Sequence, residues 1–156
     1  MIIPIISDDI REVPASVLAY VGDAVFELYV RLHVAARNHC KSGSIHKLAI
    51  GHVSAVAQAK TARAILEMLS EEEQSVFRRG KNSNPASSAR NASPSDYKYA
   101  TGMEAVIGYL FLMDRHERLD EIVTRIFEIS DQQNMENNIE IKGEKNGVSA
   151  QTTREQ

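Results

Sequence analysis

The sequence has no tryptophan, one cysteine, four prolines and eight glycines in 156 residues, and only 6% of it is aromatic. A sandwich or barrel of many short strands needs frequent turn residues, so their scarcity favours helices. The lone Cys40 cannot close an internal disulfide or build a Cys-based zinc cluster, which excludes a stapled secreted scaffold and fits a reducing cytosol. Long apolar runs are missing as well: the longest, Val106 to Met113, is far too short to span a bilayer. Met1 to Ile6 is apolar but interrupted by Pro4, followed by Asp8 and Asp9, and has no basic flank, which makes a poor secretory signal. Net positive charge is also lacking. Against 18 Lys+Arg stand 21 Asp+Glu, a formal charge of -3, and taken whole that balance speaks against nucleic acid. What the chain does have is 43% hydrophobic residues, enough to bury the core of one domain.

The charge is unevenly spread. Residues 1–77 carry -2, residues 99–130 carry -3 and residues 131–156 carry -2, whereas residues 78–98 hold Arg78, Arg79, Lys81, Arg90 and Lys98 against Asp96 alone, a local +4. At physiological salt the Debye length is about 8 Å, so a polyanion responds to such a patch more than to the chain total. Nucleic acid therefore returns as a candidate partner.

Apolar periodicity predicts five helices. Val17, Leu18, Val21, Val25, Leu28, Tyr29 and Leu32 recur every three or four positions, with Pro14 expected in the first turn. A long Ala-rich helix is expected from Ser44 as N-cap through Ile45, Leu48, Val53, Val56, Ile65 and Leu66, broken near Thr61. Ser70 and Glu73 form a capping box, Glu71 and Glu72 suit the positive end of the helix dipole, and Gly80 after Arg78 and Arg79 reads as a stop. Residues 81–95 read as a loop rich in Asn, Ser, Ala and Pro that carries the basic patch. A fourth helix is expected from Ser95 or Asp96 through Met103, Val106, Ile107, Leu110 and Phe111, and a fifth from Glu117 to Ile129. Past Asp131 the few apolar residues cannot offset ordering entropy. The reading is an all-α fold, with residues 1–130 as one domain and 131–156 as a disordered polar tail that leaves no room for a second folded domain.

Two acids stand out among small or apolar neighbours. Asp23 lies in Leu18-Ala-Tyr-Val-Gly-Asp-Ala-Val25, and Glu104 in Ala100-Thr-Gly-Met-Glu-Ala-Val-Ile-Gly108. Burying a lone carboxylate is costly without a partner or cation. Gly22, Ala24, Gly102, Ala105 and Gly108 would let two helices cross closely with both acids at the crossing, and paired carboxylate oxygens are what Mg²⁺ accepts while keeping waters and substrate phosphate. By spacing alone the plainer alternative, half-exposed polar positions on amphipathic helices, stays open. Glu27 follows Asp23 by one turn, yet could equally pair with Arg31. The histidines at 33 and 39, and at 46 and 52, are six apart and fall on different helix faces, and no HExxH is present, so zinc is not expected.

Taken together, Leu18-Ala-Tyr-Val-Gly-Asp-Ala-Val-Phe-Glu-Leu-Tyr-Val-Arg31, Arg78-Arg-Gly-Lys-Asn82 and Tyr99-Ala-Thr-Gly-Met-Glu-Ala-Val-Ile-Gly-Tyr-Leu110 resemble the ribonuclease III family. More narrowly, they resemble its short bacterial mini-ribonuclease III branch, a catalytic domain without a double-stranded-RNA-binding domain. The resemblance spans about residues 12–129. It implies a ribonuclease III-like helical endonuclease domain acting as a homodimer, with Asp23 and Glu104 as catalytic acids that hold Mg²⁺, or Mn²⁺ in its place. An activated water would then attack a backbone phosphorus in line, leaving 5′-phosphate and 3′-hydroxyl ends. Arg78, Arg79, Lys81, Asn82, Arg90 and Asn91 would hold phosphates and 2′-hydroxyls of an A-form duplex.

Two positions depart from full-length ribonuclease III. Ala19 stands where the family usually has glutamate, and Thr101 where it usually has aspartate, a reduction the short branch resembles. Thr101 and Glu27 remain as auxiliary candidates, Thr101 for orienting a water. In the short branch the substrate is the precursor of large-subunit (23S) ribosomal RNA, cut in the cytoplasm during ribosome biogenesis, with a large-subunit ribosomal protein as a candidate helper. The missing carboxylates support a rival expectation, a degenerate helical module that binds RNA or a ribosome-assembly partner without cutting.

Overall fold

The computed structural model describes residues 9–37, 49–83 and 93–149, with side chains described as far as residue 133. Among these residues all regular structure is helical. A 3₁₀ turn, Ile10–Glu12, leads into α1, Ala15–Arg37. A helical segment at 49–53 is followed by α2, Ala55–Ile65, and a 3₁₀ turn, Leu66–Met68. Then come α3, Glu71–Asn82; α4, Pro94–Leu112; and α5, His116–Ser149.

The hub is α4, on which α1, α2 and α3 all pack. Nine of its residues between Ala100 and Leu110 are buried, on every side of the helix, as expected of a core helix rather than a surface one. Leu18, Phe26 and Val30 of α1, Ile65 of α2, Phe77 of α3 and Leu119, Ile122 and Ile126 of α5 complete a single core. The chain passes from α4 to α5 through Asp114 at φ 57, where the Arg115 N–H donates to the Leu110 carbonyl at 3.0 Å and so satisfies a helix-terminal acceptor.

Local chemistry sets most helix ends. Ser70 Oγ accepts from the Glu73 N–H at 3.2 Å and Glu73 Oε2 accepts from the Ser70 N–H at 2.8 Å, so the expected capping box forms. Ser93 caps α4, accepting from the Asp96 N–H at 3.1 Å. Pro14 precedes the first turn of α1 rather than lying inside it, and its carbonyl accepts from Val17 and Leu18. The break in the Ala-rich stretch falls at Ser54, not Thr61: Ser54 Oγ caps α2, whereas the Thr61 hydroxyl donates back to the Gln58 carbonyl and leaves the helix intact. Ser44 lies outside the described residues.

Gly80 does not stop α3, which runs on to Asn82. A Cβ on Gly80 would sit 2.5 Å from the Ala105 Cβ and 2.9 Å from the Thr101 carbonyl oxygen, so this glycine lets α3 lie against α4. Lys81 and Asn82 are consequently helical rather than in a loop. The last helix also differs from expectation. Rather than ending at Ile129, α5 continues to Ser149 through a segment with no proline, in which three Glu, two Gln and two Lys are residues that lose little rotamer freedom in a helix. Asp131 ties this extension to the fold through His33 and Arg37 of α1.

A candidate acidic site at the crossing of two helices

The α1–α4 crossing owes its closeness to two glycines. A Cβ on Gly22 would lie 1.8 Å from the Glu104 carbonyl oxygen, and one on Gly108 would lie 2.0 Å from the Leu18 carbonyl oxygen. No side chain fits at either point, so the backbones touch and Asp23, next to Gly22, comes beside Glu104. The small residues flanking both acids in the sequence thus have a steric cause.

Asp23 is exposed and Glu104 half-buried. Burial, reinforced by the charge of Asp23, pushes the Glu104 carboxyl from 4.5 up to about 7, against a hydrogen bond from the Gln58 side chain that favours the ionised form. Partial burial and then the charge of Glu27 raise Asp23 as well. Among the described residues no cation pairs with either acid. Two adjacent carboxylates whose proton affinities are both raised form an oxygen donor set lacking positive charge, which suits a hard divalent cation with several waters.

Around this pair the structure separates neighbours with other tasks. Ala19 is 6% exposed, packed in the core one turn before Asp23. The Thr101 hydroxyl donates to the Tyr97 carbonyl at 3.0 Å, leaving its oxygen lone pairs. Glu27 accepts from Arg31 at 2.5 Å while its charge still acts on Asp23. Gln58 escaped the sequence reading. It is 3% exposed on α2 and its amide reaches Glu104. Its signal was present: a lone polar side chain among Ala55, Val56, Ala57 and Ala59, the same pattern that drew attention to the two acids.

The basic residues divide similarly. Arg78 and Asn82 are exposed. Arg79 donates to the Val13 carbonyl at 2.7 Å, binding α3 to the start of the chain. The Lys81 ammonium lies 4.2 Å from the centroid of the Tyr99 ring, as does the Arg63 guanidinium at 4.3 Å, and Arg63 also pairs with Asp96 at 2.9 Å. Arg63, from α2, is a cation of this region that the reading of residues 78–98 did not include. Arg90 and Asn91 lie outside the described residues.

Residues 16–115, which include both acids and the helices that carry them, match the family described as Ribonuclease III domain. Mini-ribonuclease 3 of Clostridium tetani is 44% identical over 134 residues, covering 83% of this chain and 88% of that protein. Mini-ribonuclease 3 of Brevibacillus brevis is 45% identical over 113 residues, covering 72% of this chain and 84% of that protein. A crystal structure of a Fusobacterium nucleatum protein superposes with a TM-score of 0.72 at 30% identity, covering 78% of this chain and 99% of that one. The chain belongs to the mini-ribonuclease 3 branch of the ribonuclease III family. It is an endoribonuclease of the ribonuclease III type, a metal-dependent family that acts on double-stranded RNA. The expectation of a non-cleaving module is thereby set aside. No described helix is long and apolar enough to cross a membrane.

Proposed function

We propose that Asp23 and Glu104 are the catalytic acids and that they hold Mg²⁺, or Mn²⁺ in its place, for hydrolysis of double-stranded precursor 23S ribosomal RNA in the cytoplasm. The observation that carries this reading is a pair of carboxylates on crossing helices whose proton affinities are both raised, Glu104 by burial and the Asp23 charge and Asp23 by partial burial and the Glu27 charge, with no cation paired to either among the described residues. A divalent cation bound there supplies Lewis acidity to an attacking water and to the scissile phosphate. Gln58 fixes the Glu104 carboxylate by its hydrogen bond, and the Gly22–Gly108 contact sets the spacing of the two acids. Deprotonated Glu104 is needed to receive the cation, so protons and cation compete for it near pH 7.

Arg78, Lys81 and Asn82 contribute to holding phosphates and 2′-hydroxyls, with Arg90 and Asn91 extending the same segment, and Arg79 acts on RNA only through the placement of α3. Homodimerisation is supported by exposed apolar residues along α1: Tyr20, Leu28 and Leu32 are 81%, 56% and 60% exposed. A two-fold pair would offer two acidic sites to opposite strands of one duplex. A large-subunit ribosomal protein is a fitting helper, because a basic patch this small holds RNA weakly.

The test is cleavage of a labelled 23S precursor stem, with ends mapped, by wild type, Asp23→Asn and Arg78→Ala in Mg²⁺ and in EDTA. Wild type yields Mg²⁺-dependent ends, folded Asp23→Asn yields none, and Arg78→Ala binds more weakly with a salt slope shallower by about 1. Full activity of Asp23→Asn would overturn the assignment.

A further inference from the structure

A second constellation lies about ten residues, or about 15 Å, farther along α1 than Asp23. His33 of α1, His52 of the 49–53 segment and Asp131 of α5 each point one ligand atom into the same space, all within 4.8 Å of one another. His33 Nε2 is 3.2 Å from Asp131 Oδ2, and His52 Nε2 is 3.9 Å from Asp131 Oδ1. The six-residue spacings that argued against zinc compared the wrong histidines, because the two that converge are 19 positions apart and meet only through tertiary packing.

We propose that His33, His52 and Asp131 form a binding site for a transition-metal cation of the Zn²⁺ class, separate from the acidic pair. Two imidazoles and one carboxylate on three elements are a ligand set for zinc, with water as the fourth ligand. At Zn–N and Zn–O distances near 2.0 Å, tetrahedral ligand atoms stand about 3.3 Å apart. The 3.2 Å His33–Asp131 separation already matches, whereas the set as a whole, spread over as much as 4.8 Å and reaching the two imidazoles through different Asp131 oxygens, contracts by up to about 1.5 Å on binding.

The surroundings orient the rings as a metal site requires. His52 is 7% exposed, and its Nδ1 lies 2.8 Å from Ser130 Oγ, so an Nδ1–H donated to that hydroxyl leaves the Nε2 lone pair facing Asp131. His33 stacks on Phe127 with centroids 3.9 Å apart, which fixes its plane. Arg37 pairs with Asp131 Oδ2 and compensates the carboxylate. Its side chain is 60% exposed, so it can turn into solvent as a cation enters. A bound ion would staple α1, the 49–53 segment and the start of the α5 extension.

Full-length protein is titrated with Co²⁺, read by visible ligand-field absorption, and with Zn²⁺, read by thermal unfolding. Wild type is expected to show one-to-one tetrahedral bands and, at Zn²⁺ about 100-fold above Kd, a Tm rise of about 5–10 °C. His33→Gln, His52→Gln and Asp131→Asn each lose the bands and weaken binding at least tenfold, whereas Arg37→Ala binds at least as tightly. Should His52→Gln fail to fold, the half-exposed Asp131 decides through Asp131→Asn. Absence of bands in wild type, or bands and Tm rise that persist in the Asp131 and His33 variants, would overturn the site.

Discussion

Replacing Glu104 by Gln is expected to stabilise the metal-free protein while abolishing cleavage. Folding moves this carboxyl from 4.5 to about 7, because burial and the Asp23 charge disfavour its ionised form. A carboxyl that is more basic folded than unfolded takes up protons on folding, so the contribution to stability falls as pH rises from 4.5 through 7. At about 1.4 kcal/mol per pH unit the rise from 4.5 to about 7 sets an upper bound of about 3.5 kcal/mol on the penalty above pH 7, and the side chain's remaining solvent contact brings it to about 3 kcal/mol. Glutamine removes the charge and retains an oxygen to accept from Gln58. In EDTA at pH 8 the variant should therefore unfold about 6–12 °C above wild type. At pH 5, where folded Glu104 is protonated, the gap should shrink to about 1 kcal/mol or less. Saturating Mg²⁺ should close it at pH 8 by stabilising wild type alone. Circular dichroism melts at both pH values, beside a duplex-cleavage assay, measure each part. A Tm gap of the same size at pH 5 and pH 8 would refute the argument, since it would mean that Glu104 titrates normally in the fold.

Gly22→Ala and Gly108→Ala should each destabilise by at least about 3 kcal/mol in denaturant titrations, since the new methyl meets backbone and not a movable side chain. A loss under 1 kcal/mol would show that the crossing relaxes freely. Arg118 donates to both oxygens of Glu73, which is 3% exposed, and to the Met68 carbonyl, so Arg118→Ala strands a buried carboxylate and should cost about 3–5 kcal/mol. Arg115→Ala, which breaks the open pair with Glu72 and a long cation–π contact at 5.5 Å from the Tyr109 ring centroid, should cost about 1 kcal/mol or less, and equal losses in the two variants would contradict this ranking.

Several helices could be read from the chain because their signals are local. The capping box at Ser70 and Glu73 and the three-to-four periodicity of Leu18, Val21 and Val25 act over one or two turns, where sequence distance and spatial distance agree. Asp23 and Glu104 were legible for a different reason: close backbone contact demands small neighbours, and those neighbours leave a trace around each acid. The order of three motifs added a family resemblance. Gly80 shows the limit of local rules, since a glycine behind two arginines looks like a helix stop until α4 is seen lying against it.

The amino-acid order by itself determined an all-helical domain, most helix starts and the identity of two exceptional carboxylates, since propensity, capping and apolar period belong to short stretches of chain. Only the tertiary structure decided what those side chains meet. It brought Gln58 to Glu104, turned Arg79 inward to Val13, set Arg63 and Lys81 against Tyr99, and gathered His33, His52 and Asp131 from three elements. Such meetings depend on how helices cross, and crossing is fixed by long-range packing around α4 rather than by spacing along the chain.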